Sequence, residues 1–354
     1  MTLKARIENG VVYSPYPSEP VPEMTVYQVV KQRLEQYGCR TALVWDDEEI
    51  TFAELLKVCQ RYAAGFQGHG VKKGEMVLVH LDNSLENLIV MYSVIFAGGV
   101  AVVSSPILSN DDILHRIRDS NAAHILTTVN EVKRFNDFRN KVDVKGYFSV
   151  GTALGFVSVL DFKKLNEDTF QEFPVSDVKQ EVVALLYTSG TTGSPKAAEH
   201  THYSTVASLP RPGWVLTYVT AVFGTPHWIL LLAKAIEKRG IQLDSLTTII
   251  VCGAKITPQI LRQIKPLFDL YIVKNIFGST EVGGICKPPL AASCGHGIGF
   301  PSPMVQIKIL KFQLGTIDIT SPLSICWSLL ISVVIRLLTS RVEKYLDKTK
   351  KEKC

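Results

Sequence analysis

The sequence predicts an α/β fold in which helices cover mostly parallel sheets. Three observations carry that expectation. Short apolar runs alternate with helix-period segments along the chain, the pattern of strands joined by crossover helices. The runs are unbroken rather than alternating in polarity, as strands buried on both faces require. The chain has 354 residues, 46% hydrophobic and 20% charged, enough to bury a large core and to form two subdomains.

The elements follow in order. Residues 1–24 hold four prolines and read as an extended leader. Thr25-Val26-Tyr27-Gln28 is a capping box, Val26, Val29, Val30, Leu34 and Tyr37 keep helical spacing, and Gly38 ends the helix. Met76–Leu81 is a buried strand pattern, residues 85–97 a helix stopped by Gly98-Gly99, and Val100–Val103 a second strand. Asn110 is read as the cap of a helix through Arg118. Further on, Val182–Leu186 and Tyr271–Ile276 read as strands and Trp228–Arg239 as a helix. In parallel sheets ligands gather at the carboxyl ends of strands, so the residues after these strands are the place to look for chemistry.

Directly after Val182–Leu186 comes Tyr187-Thr188-Ser189-Gly190-Thr191-Thr192-Gly193-Ser194-Pro195-Lys196-Ala197. Glycines let the backbone approach a ligand, exposed N–H groups form an anion nest, hydroxyls add donors, and the lysine adds a mobile positive charge. The stretch reads as a cradle for phosphate oxygens rather than a plain Ser/Thr/Gly surface loop. It is not a Walker A loop, because Ser194-Pro195 separates Gly193 from Lys196 and Ala197 follows the lysine.

This stretch closely resembles the signature loop of the AMP-forming adenylate enzymes: acyl- and aryl-CoA ligases of the 4-coumarate–CoA ligase kind, firefly luciferase and peptide-synthetase adenylation domains. Phe277-Gly278-Ser279-Thr280-Glu281 resembles a second family motif. Ile50–Leu56, Ala97–Pro106, Gly253–Thr257 and Gly297–Pro301 are similar to weaker blocks, so the resemblance spans roughly residues 25–310. It implies a ligase that joins a small-molecule carboxylic acid to a thiol, with ATP, Mg²⁺ and coenzyme A. By resemblance Thr188, Ser189, Gly190, Thr191, Thr192, Gly193 and Lys196 hold the β/γ-phosphates. Thr280 contacts the α-phosphate, Glu281 holds Mg²⁺, and Gly253, Ala254, Phe277 and Gly278 flank the adenine and acid pockets. Lys196, Thr280 and Glu281 carry the catalytic expectation.

Two departures from the family pattern set a rival expectation. Lys196 and Thr280 are 84 residues apart, and relatives carry several dozen more there, including an aromatic-to-histidine motif. An internal deletion near residues 209–214 is inferred. Phe223–His227 imitates that motif, but lies just ahead of the predicted helix and is read as a later pocket wall. After Leu310 the pattern stops, without the ribose-binding aspartate or the second lysine of a small C-terminal domain. The chain is therefore read as either an impaired ligase or a truncated, non-catalytic protein that binds nucleotide or a partner.

Residues 311–354 read as a divergent tail. Its apolar part, 323–338, is either a membrane contact or a packed helix. Ile325–Ile335 gives eleven residues before Arg336, against ~20 for a span. The last fourteen residues carry six Lys/Arg against three Asp/Glu, which leaves only +2 of the total +5 on the rest of the chain. That balance gives no reason to expect nucleic acid. The seven cysteines lack a Cys-x2-Cys pair and no apolar leader follows Met1. Both point to a reducing, cytoplasmic setting. Cys286, Cys294 and His296 match no zinc spacing. No peroxisomal or CaaX signal ends the sequence.

Overall fold

The computed structural model describes residues 4–18, 20–45, 48–82, 84–188, 195–209, 221–239, 248–264, 272–281, 283–289 and 297–308. The chain divides into two compact units, Pro22–Ala207 and a second that joins Met1–Val21 to Ser208–Cys354.

The second unit begins the chain. Strands β1 (Arg6–Glu8) and β2 (Val11–Tyr13) form an antiparallel hairpin. Its turn is Asn9-Gly10, both with positive φ, the backbone that a two-residue hairpin requires. The extended leader therefore holds paired strands, and the Asn-Gly signal for them was present in the sequence.

The Pro22–Ala207 unit opens with α1 (Val26–Tyr37), whose Thr25–Gln28 capping box and Gly38 stop are both present. Strands β3 (Thr41–Trp45) and β4 (Glu48–Thr51) form a hairpin that leads into α2 (Phe52–Gly68), capped by Thr51. Then follow β5 (Met76–His80), α3 (Leu85–Phe96), β6 (Val100–Ser104), α4 (Asn110–Asp119), β7 (His124–Thr128), α5 (Val132–Asn136), β8 (Gly146–Val150) and β9 (Val157–Ser158). β10 (Val182–Tyr187), β11 (Ala197–Thr201) and α6 (His202–Ser208) end the unit. The cap of α4 is Ser109, in a capping box with Asp112, one residue before the Asn110 expected from the sequence.

These strands form one seven-stranded sheet in the order β11-β10-β6-β5-β7-β8-β9, parallel except at the β11 edge. Alternate side chains point to opposite faces. Leu78, Val102, Ile125 and Leu185 pack with Ile113 and Ile117 of α4 and with Phe135 of α5. Aromatic stacking runs through Phe66 of α2, Phe148 of β8 and Phe162, with edge contacts at 5.2 and 5.5 Å centroid separation. The order reverses at β5, because β6 lies on one side of it and β7 on the other, which makes this a topological switch point.

In the other unit, β12 (Ala221–Gly224), α7 (Pro226–Arg239), β13 (Thr248–Val251), α8 (Pro258–Ile264) and β14 (Ile272–Asn275) form a three-stranded parallel sheet with its helices. Ile249, Val251 and Val273 pack with Ile229, Leu232 and Ile236 of α7 and with Ile264 of α8. β15 (Phe277–Ser279), β16 (Gly283–Lys287) and β17 (Phe300–Pro301) form an antiparallel sheet. β18 (Gln306–Lys308) pairs with β2. Ser14 donates to the Pro301 carbonyl and Tyr16 to the Lys287 carbonyl, at 2.9 and 3.0 Å, tying the N-terminal segment to β16 and β17.

The expected α/β class is thus observed. The tail 311–354, the gap region 210–220, Cys294 and His296 lie outside the described residues.

Candidate nucleotide site

β10 carries the loop. Val183, Leu185, Leu186 and Tyr187 are buried, so the strand is held rigidly up to the residue before Thr188. The Thr188 N–H donates to the Lys196 carbonyl at 2.9 Å, and Tyr187 pairs in register with Ala197. The segment 188–196 is therefore the connection of an antiparallel hairpin. In a P-loop the lysine opens a helix whose N-terminus helps bind phosphate; here Lys196 leads into a strand. No helix N-terminus therefore follows Lys196 to assist an anion at this loop. Lys196 is exposed and has no ion pair among the described residues. Ser189, Gly190, Thr191, Thr192, Gly193 and Ser194 lie outside the described residues.

Tyr187 anchors the loop's first stem. Its hydroxyl donates to Asp119 Oδ2 at 2.6 Å, and the Arg116 guanidinium sits 4.6 Å from its ring centroid. Arg116 also donates to the Val103 carbonyl at 2.8 Å. Burial, then the neighbouring Asp119, push the Tyr187 phenol upward, so it stays protonated and donating. Asp119, Asp111, Leu114, His115 and Arg118 line an open cleft of about 460 Å³ on α4. Sequence reasoning missed Arg116 and Asp119, because nothing in the spacing of α4 shows which helix face meets β10.

At the switch point, His80 ends β5, fully buried. Its Nδ1 lies 2.9 Å from Ser104 Oγ at the end of β6, and its Nε2 lies 3.6 Å from Glu131. Burial drives the His80 pKa down more than Glu131 raises it. The imidazole is thus a neutral link between strand ends. It is a core residue.

The second half of the expected site lies in the other unit. Gly253 follows β13 with φ +76° and is exposed with Ala254 and Lys255. A Cβ there would meet only Thr225 Cγ2, at 3.4 Å, so the constraint is the backbone angle rather than space. Phe277 packs against the small cluster of Ile285 and Cys286. Gly278 is sterically locked: a Cβ would come within 2.0 Å of the Gly283 carbonyl oxygen. Thr280 and Glu281 occupy the turn after β15, Thr280 half-buried and Glu281 exposed. Among the described residues no group of three His, Cys, Asp or Glu side chains could hold a metal. Mg²⁺ bound through substrate phosphates needs only one or two carboxylates, and the exposed Glu281, without an ion pair among the described residues, fits that mode. His227 is exposed near the start of α7, and His200 is buried in β11.

The sequence profile of the family described as AMP-binding enzyme matches residues 30–211 and 216–317. The chain belongs to that family. It is 27% identical over 183 residues to a 4-coumarate–CoA ligase of Vanilla planifolia, covering 50% of this chain and 33% of the relative. It is 28% identical over 182 residues to a 2-succinylbenzoate–CoA ligase of Bacillus subtilis, covering 50% and 34%. The chain thus spans about a third of the length of these relatives. Its fold is that of a long-chain-fatty-acid–CoA ligase from Archaeoglobus fulgidus, with TM-score 0.73, 16% identity, and 89% of this chain against 75% of that one covered. A luciferase-like enzyme from the mealworm Zophobas morio gives TM-score 0.71 at 17% identity, covering 85% and 84%.

Proposed function

We propose that this chain carries the ATP-binding half-reaction of an AMP-forming acid–thiol ligase. A carboxylate oxygen attacks the α-phosphorus of ATP, the bond to the β-phosphate breaks, and pyrophosphate leaves with its electron pair. Coenzyme A, as thiolate, then attacks the acyl carbon and AMP departs. The demands are positioning and stabilisation of anionic charge. On this reading Thr188, Ser189, Thr191, Thr192 and Lys196 hold the β/γ-phosphates while Gly190 and Gly193 admit them to the backbone. Thr280 donates to the α-phosphate, and Gly253, Ala254, Phe277 and Gly278 border the adenine and acid. Glu281 would hold Mg²⁺, which would supply charge neutralisation on the phosphates.

The observation that supports this most is the hairpin connection at the carboxyl end of a buried parallel strand, with Lys196 exposed and without an ion pair among the described residues. The test is ATP–pyrophosphate exchange with a panel of aromatic and fatty acids. Acid-dependent exchange is expected, lowered about 100-fold or more in Lys196→Ala, the scale of one lost charge-stabilising contact. The 84-residue spacing between Lys196 and Thr280 favours a second reading, nucleotide binding without completed chemistry. ATP binding with no exchange from any acid would select it.

A further inference from the structure

The two stems of the 188–196 connection are unequal. Thr188 continues β10, an inner strand of the seven-stranded sheet. Lys196 leads into β11, the edge strand, whose one partner among the described residues is β10. Tyr187 pairs in register with Ala197, and the Thr188 N–H donates to the Lys196 carbonyl at 2.9 Å. The lysine backbone therefore takes its place from β10, and whatever fixes Tyr187 and Thr188 fixes Lys196.

Tyr187 is fixed by α4. Its ring belongs to one buried cluster with Leu185 of its own strand and Ile113, Leu114 and Ile117 of the helix. Apolar contact is non-directional, so this packing sets the depth of the ring and leaves its aim to polar groups. The Tyr187 hydroxyl donates to Asp119 Oδ2 at 2.6 Å, a bond to a carboxylate and so of the stronger, charge-assisted kind. Three residues earlier on the helix, the Arg116 guanidinium lies 4.6 Å from the ring centroid and donates to the Val103 carbonyl of β6 at 2.8 Å. The His115 ring meets the tyrosine edge-on at 6.4 Å. The helix is itself held at both ends, by the Ser109–Asp112 capping box and by the Ser120 hydroxyl, which donates to the Arg116 carbonyl at 2.6 Å. A phenylalanine would fill the same space; only the hydroxyl ties the strand end to Asp119.

We propose that Asp119 and Arg116 act through Tyr187 as positioning residues for Lys196, so that this clamp supports binding of ATP but not of AMP. This rests on the reading of the connection as a phosphate loop that holds the β- and γ-phosphates. Apparent affinity falls in proportion to the fraction of chains in the binding-competent arrangement. Releasing the clamp therefore weakens what depends on Lys196 and leaves the contacts to the rest of the nucleotide intact. AMP lacks both outer phosphates and is the control.

The full-length chain is titrated calorimetrically with MgATP and with AMP, as wild type, Tyr187→Phe, Asp119→Ala and the double variant. Each single substitution weakens MgATP about five-fold or more, the weight of one hydrogen bond to a charged group, and leaves AMP affinity unchanged. The double variant is no weaker than the singles, as partners in one bond behave. Unchanged MgATP affinity in Tyr187→Phe overturns the proposal, as do equal losses for MgATP and AMP or additive losses in the double variant. Trypsin cleavage after Lys196 tests the clamp without nucleotide, because cleavage tracks the population of the opened segment. The fragment beginning at Ala197 is released about five-fold or more faster from Tyr187→Phe than from wild type; an equal rate removes the positioning role. If the wild type binds no MgATP, the phosphate-loop reading fails, and the cleavage rate alone decides whether the clamp holds Lys196.

Discussion

Gly278 shows why a motif residue can have two reasons to exist. In the sequence it belongs to the Phe-Gly-Ser-Thr-Glu block, and resemblance assigns it to the nucleotide. In the fold it sits opposite Gly283–Gly284 in the β15–β16 hairpin, where an added Cβ would lie 2.0 Å from a backbone carbonyl oxygen. Backbone cannot yield as a flexible side chain can, so the hairpin must open. Gly278→Ala is expected to destabilise the fold by about 2–4 kcal/mol, the range of overpacking and backbone strain, read as a lower urea midpoint. An unchanged midpoint would mean that the hairpin is not held as described. Tyr187 carries a second lesson. Its place before the loop was legible in the sequence, but its grip on Asp119 and Arg116 was not, because that contact joins residues 68 positions apart.

Among elements, α1 was the most legible, since its cap, apolar stripe and stop are all local signals. The β1–β2 hairpin was equally local, marked by Asn9-Gly10, yet the four prolines beside it favoured an extended leader. β11 was not legible as the partner of β10, because Ala197–Thr201 is short, partly polar and acquires its pairing only from the neighbouring strand. The start of α1 also depends on a distant group. The Val26 N–H donates to His202 Nδ1 at 3.0 Å, which requires that nitrogen to be unprotonated. Burial lowers the His202 pKa to about 4, against a smaller opposing pull from Glu181. Buried His80 is lowered for the same first reason. For both, the unfolded chain takes up a proton near pH 6.5 that the folded chain refuses. Stability is therefore full above that pH and falls as pH drops toward 4, by on the order of 2 kcal/mol for His202. Burial also opposes the charge on Glu75, but hydrogen bonds from Lys145, His124 and the Lys72 N–H outweigh it and hold its pKa at about 2. Its contribution is lost from about 4.5 downward. Urea midpoints measured from pH 8 to pH 4 should be flat to about 6.5 and then decline; a flat profile throughout would contradict the buried neutral histidines.

For the whole molecule, the parallel sheets were foreseeable because unbroken apolar runs separated by helices admit few other arrangements. The strand order was not, since sequence says nothing about which neighbour a strand chooses. No helix among the described residues is long and apolar enough to cross a membrane, and the apolar segment 323–338 lies outside them. The candidate site residues stand out in the sequence as motifs, because phosphate chemistry would restrict residue types at fixed spacing. The proposed function stands or falls on whether the 188–196 hairpin loop grips the phosphates of a nucleotide. Calorimetric titration of the full chain with MgATP tests it most directly. Saturable binding is expected, weakened about ten-fold or more in Lys196→Ala with the unfolding midpoint unchanged. Absence of saturable binding, or equal affinity in the Lys196→Ala chain, would contradict it.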